Sequence, residues 1–320
     1  MKKFLKDLET ELRNKKLSES EIKEILADHE EMIQSAKNEG LTDEELEAKF
    51  GSPKNVAEEL SEFTEKEERK SEAENNTGKS VEFTGIKENY NVNIALISED
   101  VKFVHNDDNK IVVTYVGERK FERFEISFSN NELTIKSPKN RFNFGFSYRN
   151  SKNQFTISIP KNVKINDFKL KLISGDSILE DIEAESFVLE TNSGDATLCS
   201  LKLGESKFST ISGNVSLENI VCKDFAISTI SGDAKITNLV SKNDILITTV
   251  SGDAIIENSN CVEAMLKTVS GDIKGNEFYP KALSLKSVSG DLVLKNLESD
   301  KKIEIKRQRT VSGDIKIITK

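Results

Sequence analysis

The stretch Thr229-Ile230-Ser231-Gly232-Asp233 decides the fold, because its last three residues return eight times in the C-terminal half of the chain. The serines that begin the tripeptide are Ser174, Ser193, Ser212, Ser231, Ser251, Ser270, Ser289 and Ser312. They lie 19, 19, 19, 20, 19, 19 and 23 residues apart, and only Asn214 replaces the aspartate. A nearly constant period of this length indicates stacked structural repeats.

Apolar and polar residues alternate on both sides of each serine. Ile227 stands four residues before Ser231, Thr229 two before it, and Ile236 five after it. A period of two predicts β-strands with one buried face. The tripeptide interrupts the alternation and predicts a bend, in which glycine supplies a backbone geometry that other residues resist. A second bend is expected in polar stretches such as Ser241-Lys242-Asn243-Asp244.

Two strands and two bends in 19 residues predict one coil of a parallel β-solenoid, with coils about 4.8 Å apart. No segment between bends is long enough for an ordinary helix, which argues against a leucine-rich repeat. An antiparallel meander would also alternate, but residues that recur once per period favour ladders of like residues. The predicted fold is therefore mainly β, a parallel β-solenoid of about 19-residue coils behind a small N-terminal all-α domain.

Charge is unevenly placed along the 320 residues, whose net charge is −9. Residues 1–80 hold 22 acidic and 14 basic side chains, a net of −8, so the remainder is nearly neutral. This balance argues against direct binding of nucleic acid, which requires a basic field. No apolar run reaches membrane-spanning length, and charges interrupt the N-terminus before a signal-peptide core, so we expect a cytoplasmic protein.

The cysteines are expected to be reduced. Cys222 and Cys261 occupy equivalent positions two coils apart, or about 9.6 Å, which is beyond disulfide reach. Together with Cys199 they predict three thiols, as is typical of cytosolic proteins.

Residues 1–65 are predicted to form a helical domain, and the polar residues 66–80 a linker. Ser18 with Glu21 makes a capping box ahead of an apolar stripe at helical spacing. His29 lies on that stripe, where a helix-interface histidine is the favoured interpretation over a ligand. The acidic pairs Glu30-Glu31 and Glu44-Glu45 are either solvated helix faces or a docking face for a basic partner.

This N-terminal segment resembles the HAAS domain, a helical module of bacterial signalling proteins. The resemblance rests on Phe4-Leu5-Lys6-Asp7-Leu8, on Gly40 to Glu45 and on Phe50 to Ala57. It implies a protein partner, a PadR-like transcription regulator. Members of that family usually carry membrane helices after the module, and this sequence shows none.

Residues 81–320 are predicted to form the solenoid, with irregular first coils and a cap at 81–163 and regular repeats at 164–320. Ser98-Glu99-Asp100 is interpreted as a degenerate repeat. Alternating aromatic residues, whose role is either cap packing or ligand contact, are Phe142, Phe144, Phe146 and Tyr148.

Residues 92–320 resemble the bacterial "putative adhesin" β-strand-repeat family, a domain of unknown function. The resemblance rests on Phe155-Thr156-Ile157-Ser158-Ile159-Pro160 ahead of Leu170 to Leu179, and on the iterated Thr-Ile/Val-Ser-Gly-Asp. It implies the repeat fold and brings no catalytic residues.

Seven aspartates form the column of residues that bears chemistry: Asp176, Asp195, Asp233, Asp253, Asp272, Asp291 and Asp314. They are expected to cap the bends as Asx-turns. Calcium on the ladder Asp233, Asp253, Asp272 and Asp291 is the alternative, although one carboxylate per coil is sparse for that ion. We expect no metal and no cofactor.

A second column stands immediately before each serine and is apolar at seven of its eight positions. Its candidate interaction residues are Ile211, Ile230, Val250, Val269 and Val288. Strict alternation turns this column outward, whereas the geometry of the bend could turn it inward. An exposed column would mark an interaction surface.

The sequence predicts a non-catalytic interaction or scaffold protein. In this hypothesis the helical domain docks the regulator and the solenoid is a binding platform. The alternative is an adhesin- or sensor-like binder of an envelope ligand. A carbohydrate-cleaving enzyme is the least supported class, because regular ladders single out no carboxylate pair and tryptophan is absent.

Overall fold

The computed structural model describes residues 2–15, 78–86, 89–117, 119–138, 153–161, 163–297 and 302–319, together with 22–23, 26, 52–54 and 56–57. These residues belong to two units, one N-terminal and helical, the other built of strands. Most of the predicted helical domain and linker lies outside the described residues. So do His29, the acidic pairs and the aromatic residues between Phe142 and Tyr148.

The described part of the N-terminal segment begins with α1, Lys2–Asn14. Phe4, Leu8 and Leu12 are buried at a spacing of four, which is the apolar stripe of an amphipathic helix. On the polar side, Arg13 Nη2 lies 3.0 Å from Glu9 Oε1 in an i,i+4 ion pair.

The second unit consists of strands and one short 3₁₀ turn, Phe121–Arg123. The strands are β1 Lys79–Thr84, β2 Asn89–Leu96, β3 Asp100–Asn106, β4 Lys110–Val116, β5 Glu125–Ser129, β6 Glu132–Lys136, β7 Gln154–Pro160, β8 Lys164–Leu172, β9 Ser177–Glu180, β10 Glu183–Thr191, β11 Ala196–Thr210, β12 Val215–Cys222, β13 Asp224–Thr229, β14 Ala234–Ser241, β15 Asp244–Thr249, β16 Ala254–Thr268, β17 Ile273–Lys286, β18 Leu292–Asn296, β19 Glu304–Arg309 and β20 Ile315–Thr319.

From β8 onward the strands stack in two parallel columns. One column holds the strands that lead into each Ser-Gly-Asp, so that Phe225 pairs with Ile245 and Ile247 with Leu266. The other holds the strands that follow it, so that Ala234 pairs with Ala254 and the latter with Ile273. Partners are 19 or 20 residues apart as far as β18, and 22 or 23 apart in the last coil. This parallel pairing confirms the predicted parallel β-solenoid and excludes the antiparallel meander in this region.

The N-terminal end of the solenoid is irregular. There β1 and β4, β4 and β7, and β5 and β6 pair antiparallel, while β2 and β3 lie parallel to β8 and β9. Ser98-Glu99-Asp100 takes the place of a Ser-Gly-Asp bend, since the Ser174 amide donates to the Ile97 carbonyl at 2.8 Å. The degenerate repeat is therefore confirmed as the first corner of the solenoid.

The coil between Ser231 and Ser251 shows how one repeat is shaped. The predicted second bend is confirmed, because Lys242 and Asn243 separate β14 from β15. The sequence prediction missed a further kink at Asn238, where φ is +56° and the inward-outward alternation shifts by one residue. Asparagine tolerates this left-handed conformation better than most residues, and the same position in the preceding coil is Asn219 with φ of +56°.

The core lies between the two columns of strands. Fully buried aliphatic residues from every coil fill it, and five phenylalanines stack along its N-terminal half: Phe103, Phe168, Phe187, Phe208 and Phe225. Successive ring centroids in this row are 4.7 to 5.4 Å apart. Each ring thus packs on the equivalent side chain of the next coil, which ties neighbouring coils together.

Candidate docking surface at the Ser-Gly-Asp corner

The side chains immediately before each serine point outward. We call them the apolar column: Ile173, Ile211, Ile230, Val250, Val269, Val288 and Val311. The five predicted interaction residues among them are 38% to 45% exposed, which resolves the question of direction that the sequence left open. From Ile211 the column runs through six consecutive coils, a length of roughly 24 Å.

Backbone hydrogen bonds hold this column in line. The Ser251 amide donates to the Ile230 carbonyl at 2.7 Å, and the Ser270 amide donates to the Val250 carbonyl at 2.8 Å. The serine side chains are exposed beside them, and Ser270 Oγ donates to the same Val250 carbonyl at 3.2 Å. The corner is therefore a rigid surface with a spacing of about 4.8 Å between equivalent atoms.

The aspartates form a second line along the corner, which we call the carboxylate column. Asp233 Oδ1 accepts the amide N–H of Asp253 at 2.8 Å, and Asp253 Oδ1 accepts that of Asp272 at 2.8 Å. The same bond recurs from Asp100 to Asp314. The prediction of local Asx-turns is therefore wrong. The carboxylates accept backbone amides of the next coil instead of amides of their own bend.

Asn214 fits the carboxylate column without a charge. Its side-chain Oδ1 accepts the backbone amide of Asp233 at 3.0 Å, and its own backbone amide donates to Asp195 Oδ1 at 2.7 Å. The bond between coils therefore needs one acceptor oxygen and no net charge. Most members of the carboxylate column are exposed residues.

The glycines are required by the closeness of the coils. A Cβ placed on Gly252 would lie 2.0 Å from the carbonyl oxygen of Gly232, and the distance at Gly232 to the Gly213 oxygen is the same. None of the described Ser-Gly-Asp glycines has a positive φ. The predicted bend is confirmed, but glycine stands there for its missing side chain and not for an unusual backbone conformation.

The threonines two residues before each serine face inward and close the bend from inside. Thr210 Oγ1 donates to the Gly213 carbonyl at 2.8 Å, and Thr191 Oγ1 donates to that of Gly194 at 3.1 Å. The expected ladder from threonine to threonine occurs between Thr249 and Thr268, at 3.0 Å. Thr229 Oγ1 is buried and has no hydrogen-bond partner among the described residues.

The difference between Thr210 and Thr229 gives a matched pair of variants. Thr210→Val removes a buried bond to a carbonyl and is expected to lower the free energy of unfolding by about 1 kcal/mol. Thr229→Val replaces an unpaired hydroxyl with a methyl group and is expected to leave stability unchanged or to raise it by about 1 kcal/mol. Urea unfolding of both variants tests this, and equal losses in the two would contradict the hydrogen bonding described.

The corner begins at a buried ion pair. Glu99 is fully buried, and its Oε1 lies 2.6 Å from Arg119 Nη1. Its Oε2 accepts the amides of Ile97 and Ser98 at 3.2 and 3.3 Å and the hydroxyl of Ser137 at 2.8 Å. One buried carboxylate thus accepts two backbone amides of the first bend and a neighbouring hydroxyl, and is paired with a guanidinium.

All three cysteines are unpaired thiols, as predicted. Cys222 and Cys261 are buried and Cys199 is half-buried. Burial raises the pKa of the Cys222 thiol, and burial raises the pKa of the Cys261 thiol to about 12.

Alkylation of the native protein should therefore distinguish the thiols. At pH 8 we expect iodoacetamide to modify Cys199 rapidly, and to modify Cys222 and Cys261 only after unfolding, because the thiolate is the reactive form. The total after denaturation should be three. Rapid labelling of Cys199→Ser, or a single thiol in the denatured protein, would contradict this expectation.

A shallow cleft of about 250 Å³ lies away from the Ser-Gly-Asp corner, and Gly204 is among the residues that line it. Two of its carboxylates are held by lysines, Glu183 by Lys164 at 2.6 Å and Glu185 by Lys223 at 3.5 Å. Within the described part of the chain, no cluster of three His, Cys, Asp or Glu side chains could hold a metal ion.

No described helix is long and apolar enough to cross a membrane. From β8 onward the chain is a parallel β-solenoid, a repeat fold in which each coil contacts its neighbours.

The chain belongs to the Toastrack DUF4097 family, whose model matches residues 89–253 and 212–320. Residues 3–59 match the HAAS model. Both resemblances predicted from sequence are thereby confirmed. No curated protein matches this chain.

Two solved structures are similar to the solenoid. One is a "putative lipid binding protein" from Parabacteroides distasonis, with a TM-score of 0.53 and 17% identity, covering 76% of this chain and 97% of its own. The other is a "putative adhesin" from Parabacteroides merdae, with a TM-score of 0.52 and 14% identity, covering 76% of this chain and 97% of its own. At this identity the similarity establishes the fold alone.

Proposed function

We propose that this protein is a non-catalytic interaction platform and that the apolar column of its Ser-Gly-Asp corner docks a protein partner. The observation that carries the proposal is the run of exposed isoleucine and valine side chains through six consecutive coils. Branched aliphatic side chains on a hydrogen-bonded backbone lose little conformational freedom when they are covered. Burying them in an interface removes apolar area from water at little entropic cost.

Asn192 supplies the variant that tests this proposal. It occupies the position of the apolar column in the second Ser-Gly-Asp coil, so asparagine is compatible with the corner. The full-length variant Ile230→Asn/Val250→Asn/Val269→Asn should keep the thermal midpoint within about 2 °C and lose the partner in affinity purification from the native source. A variant that retains the same partner as the wild type would overturn the platform proposal.

The helical N-terminal segment is proposed to dock a PadR-like transcription regulator in the cytoplasm. The match of residues 3–59 to the HAAS model and the net charge of −8 in residues 1–80 support this part of the proposal. An acidic segment attracts a basic partner, and salt weakens that attraction.

Charge reversal in the full-length chain tests the N-terminal docking. Glu30→Lys/Glu31→Lys/Glu44→Lys/Glu45→Lys should reduce retention of the regulator at 50 mM salt by about tenfold or more, and the wild type should lose it progressively as salt rises. Retention that responds neither to these substitutions nor to salt would contradict the proposal.

A binder of an envelope ligand is the second candidate, favoured by the similarity of the solenoid to a protein described as a putative adhesin. The two candidates place the protein in different compartments. Fractionation of the source cells with an antibody against the solenoid separates them, because the platform proposal expects the protein with cytoplasmic markers and the adhesin candidate expects it at the cell surface.

A further inference from the structure

The apolar column and the carboxylate column run side by side along one corner. In each regular coil two residues lie between the two members, as in Val250 and Asp253, whose residues are both exposed. A partner that covers the apolar column must therefore also meet the carboxylates. The charge of the corner thus becomes part of any docking surface there.

The carboxylate charge is not required by the fold. Asn214 accepts the Asp233 backbone amide with its side-chain Oδ1, the bond that the aspartates make elsewhere in the column. Unit charges about 4.8 Å apart repel by about 1 kcal/mol even in water. The stacked aspartates thus carry a cost that asparagine would avoid, while giving the same bond between coils.

Most of this charge has no ion-pair partner among the residues that the structure describes. Asp272 and Asp314 lie 3.5 and 2.9 Å from the lysines two residues later in their own coils. Asp195, Asp233 and Asp253 make no ion pair with any described residue. The centre of the corner therefore presents an apolar line beside an uncompensated anionic line.

From this arrangement we infer that the partner of the corner is a protein segment that places lysine or arginine side chains beside an apolar stripe, and that the carboxylate column selects it. This inference rests on the proposed platform function. A second copy of this chain is excluded as the occupant by the same charges, because two such corners face to face would oppose two anionic columns.

The inference is tested on the full-length chain with two synthetic peptides of equal length and leucine content, one alternating leucine with lysine and the other alternating leucine with glutamate. Fluorescence anisotropy at 50 mM salt should show binding of the lysine peptide, and binding of the glutamate peptide at least tenfold weaker. Equal binding of the two peptides would overturn the inference.

Three variants separate the contributions of the corner. The variant Asp195→Asn/Asp233→Asn/Asp253→Asn removes three charges and places asparagine where Asn214 already stands in another coil. It should weaken binding of the lysine peptide at least fivefold. The control removes the same charge from exposed glutamates away from the corner, Glu180→Gln/Glu205→Gln/Glu218→Gln, and should change binding less than twofold. Equal losses in variant and control would mean non-specific attraction and would refute the role of the column.

The third variant, Ile230→Asn/Val250→Asn/Val269→Asn, keeps the failures of the two proposals apart. If it binds the lysine peptide as the wild type does, the apolar column is not a docking surface and the platform proposal fails. If it loses binding while the aspartate variant does not, the platform stands and the carboxylates do not select the partner. Sedimentation of the wild-type chain completes the test, since dimerisation abolished by the asparagine variant would identify a second copy as the occupant.

Discussion

Gly252→Ala is expected to destabilise the solenoid by at least about 3 kcal/mol, one of the largest effects available to a single methyl group. The added Cβ would lie 2.0 Å from the carbonyl oxygen of Gly232 and 2.8 Å from its carbon. Both atoms belong to backbone fixed by the bonds between coils, so neither can move aside cheaply. The two coils must separate at the corner, and the bond from Asp253 to Asp233 is strained with them.

Gly85→Ala is the matched control. Gly85 has a φ of +71°, and an added Cβ there would meet no atom within 4 Å. Its replacement costs only the left-handed backbone penalty of about 1 kcal/mol. Thermal unfolding of the two variants should therefore show Gly252→Ala as clearly the less stable, whereas similar midpoints would contradict the close stacking of the corner.

Glu99→Gly is expected to lower stability by about 2 to 3 kcal/mol, although it restores the Ser-Gly-Asp consensus at the first corner. The substitution leaves the Ser98 amide without its side-chain acceptor, and leaves the Arg119 guanidinium without its ion pair. The Ile97 amide keeps one acceptor, the Ser137 hydroxyl at 3.1 Å.

Arg119→Ala should cost about 3 kcal/mol, because a fully buried carboxylate then loses its counter-charge. The conservative variant Glu99→Gln keeps acceptor oxygens for the amides and should fall between the wild type and Glu99→Gly. Denaturant unfolding measures all three. A Glu99→Gly protein more stable than the wild type would show that the consensus outweighs the buried network.

The burial of Cys261 predicts how stability depends on pH. The fold holds the pKa of this thiol near 12, above its ordinary value of about 9, so the unfolded chain ionises first as pH rises. The stabilisation is fully present below about pH 9 and is lost as pH rises towards 12. Comparison of the wild type with Cys261→Ala at pH 8 and pH 10.5 should show a smaller pH-dependent loss in the variant.

The features that repeat could be predicted from the sequence. The period of Ser-Gly-Asp predicted the parallel coils. The alternation around Ser231 predicted that Ile227, Thr229 and Ile236 share the buried face, as the structure confirms. Repetition converts a weak local pattern into a strong one, since each coil supplies an independent observation of the same environment.

Features that depend on contact between coils could not be predicted from one repeat. Glycine at a bend suggested an unusual φ, yet the cause is a carbonyl of the preceding coil. Aspartate at a bend suggested a local turn, yet its partner is 19 or 20 residues away. Arg119 gave no signal at all, because its ion pair with Glu99 joins two irregular segments that share no pattern.

The central claim, that the Ser-Gly-Asp corner is a docking surface, is tested most directly by placing a photoreactive amino acid at single positions of the full-length chain in its native cells. Position 250 lies in the apolar column, and position 218, an exposed glutamate, lies away from the corner. The account predicts a strong protein adduct at 250 that Ile230→Asn/Val269→Asn abolishes, and little or none at 218. Absence of an adduct at 250, or equal adducts at both positions, would contradict it.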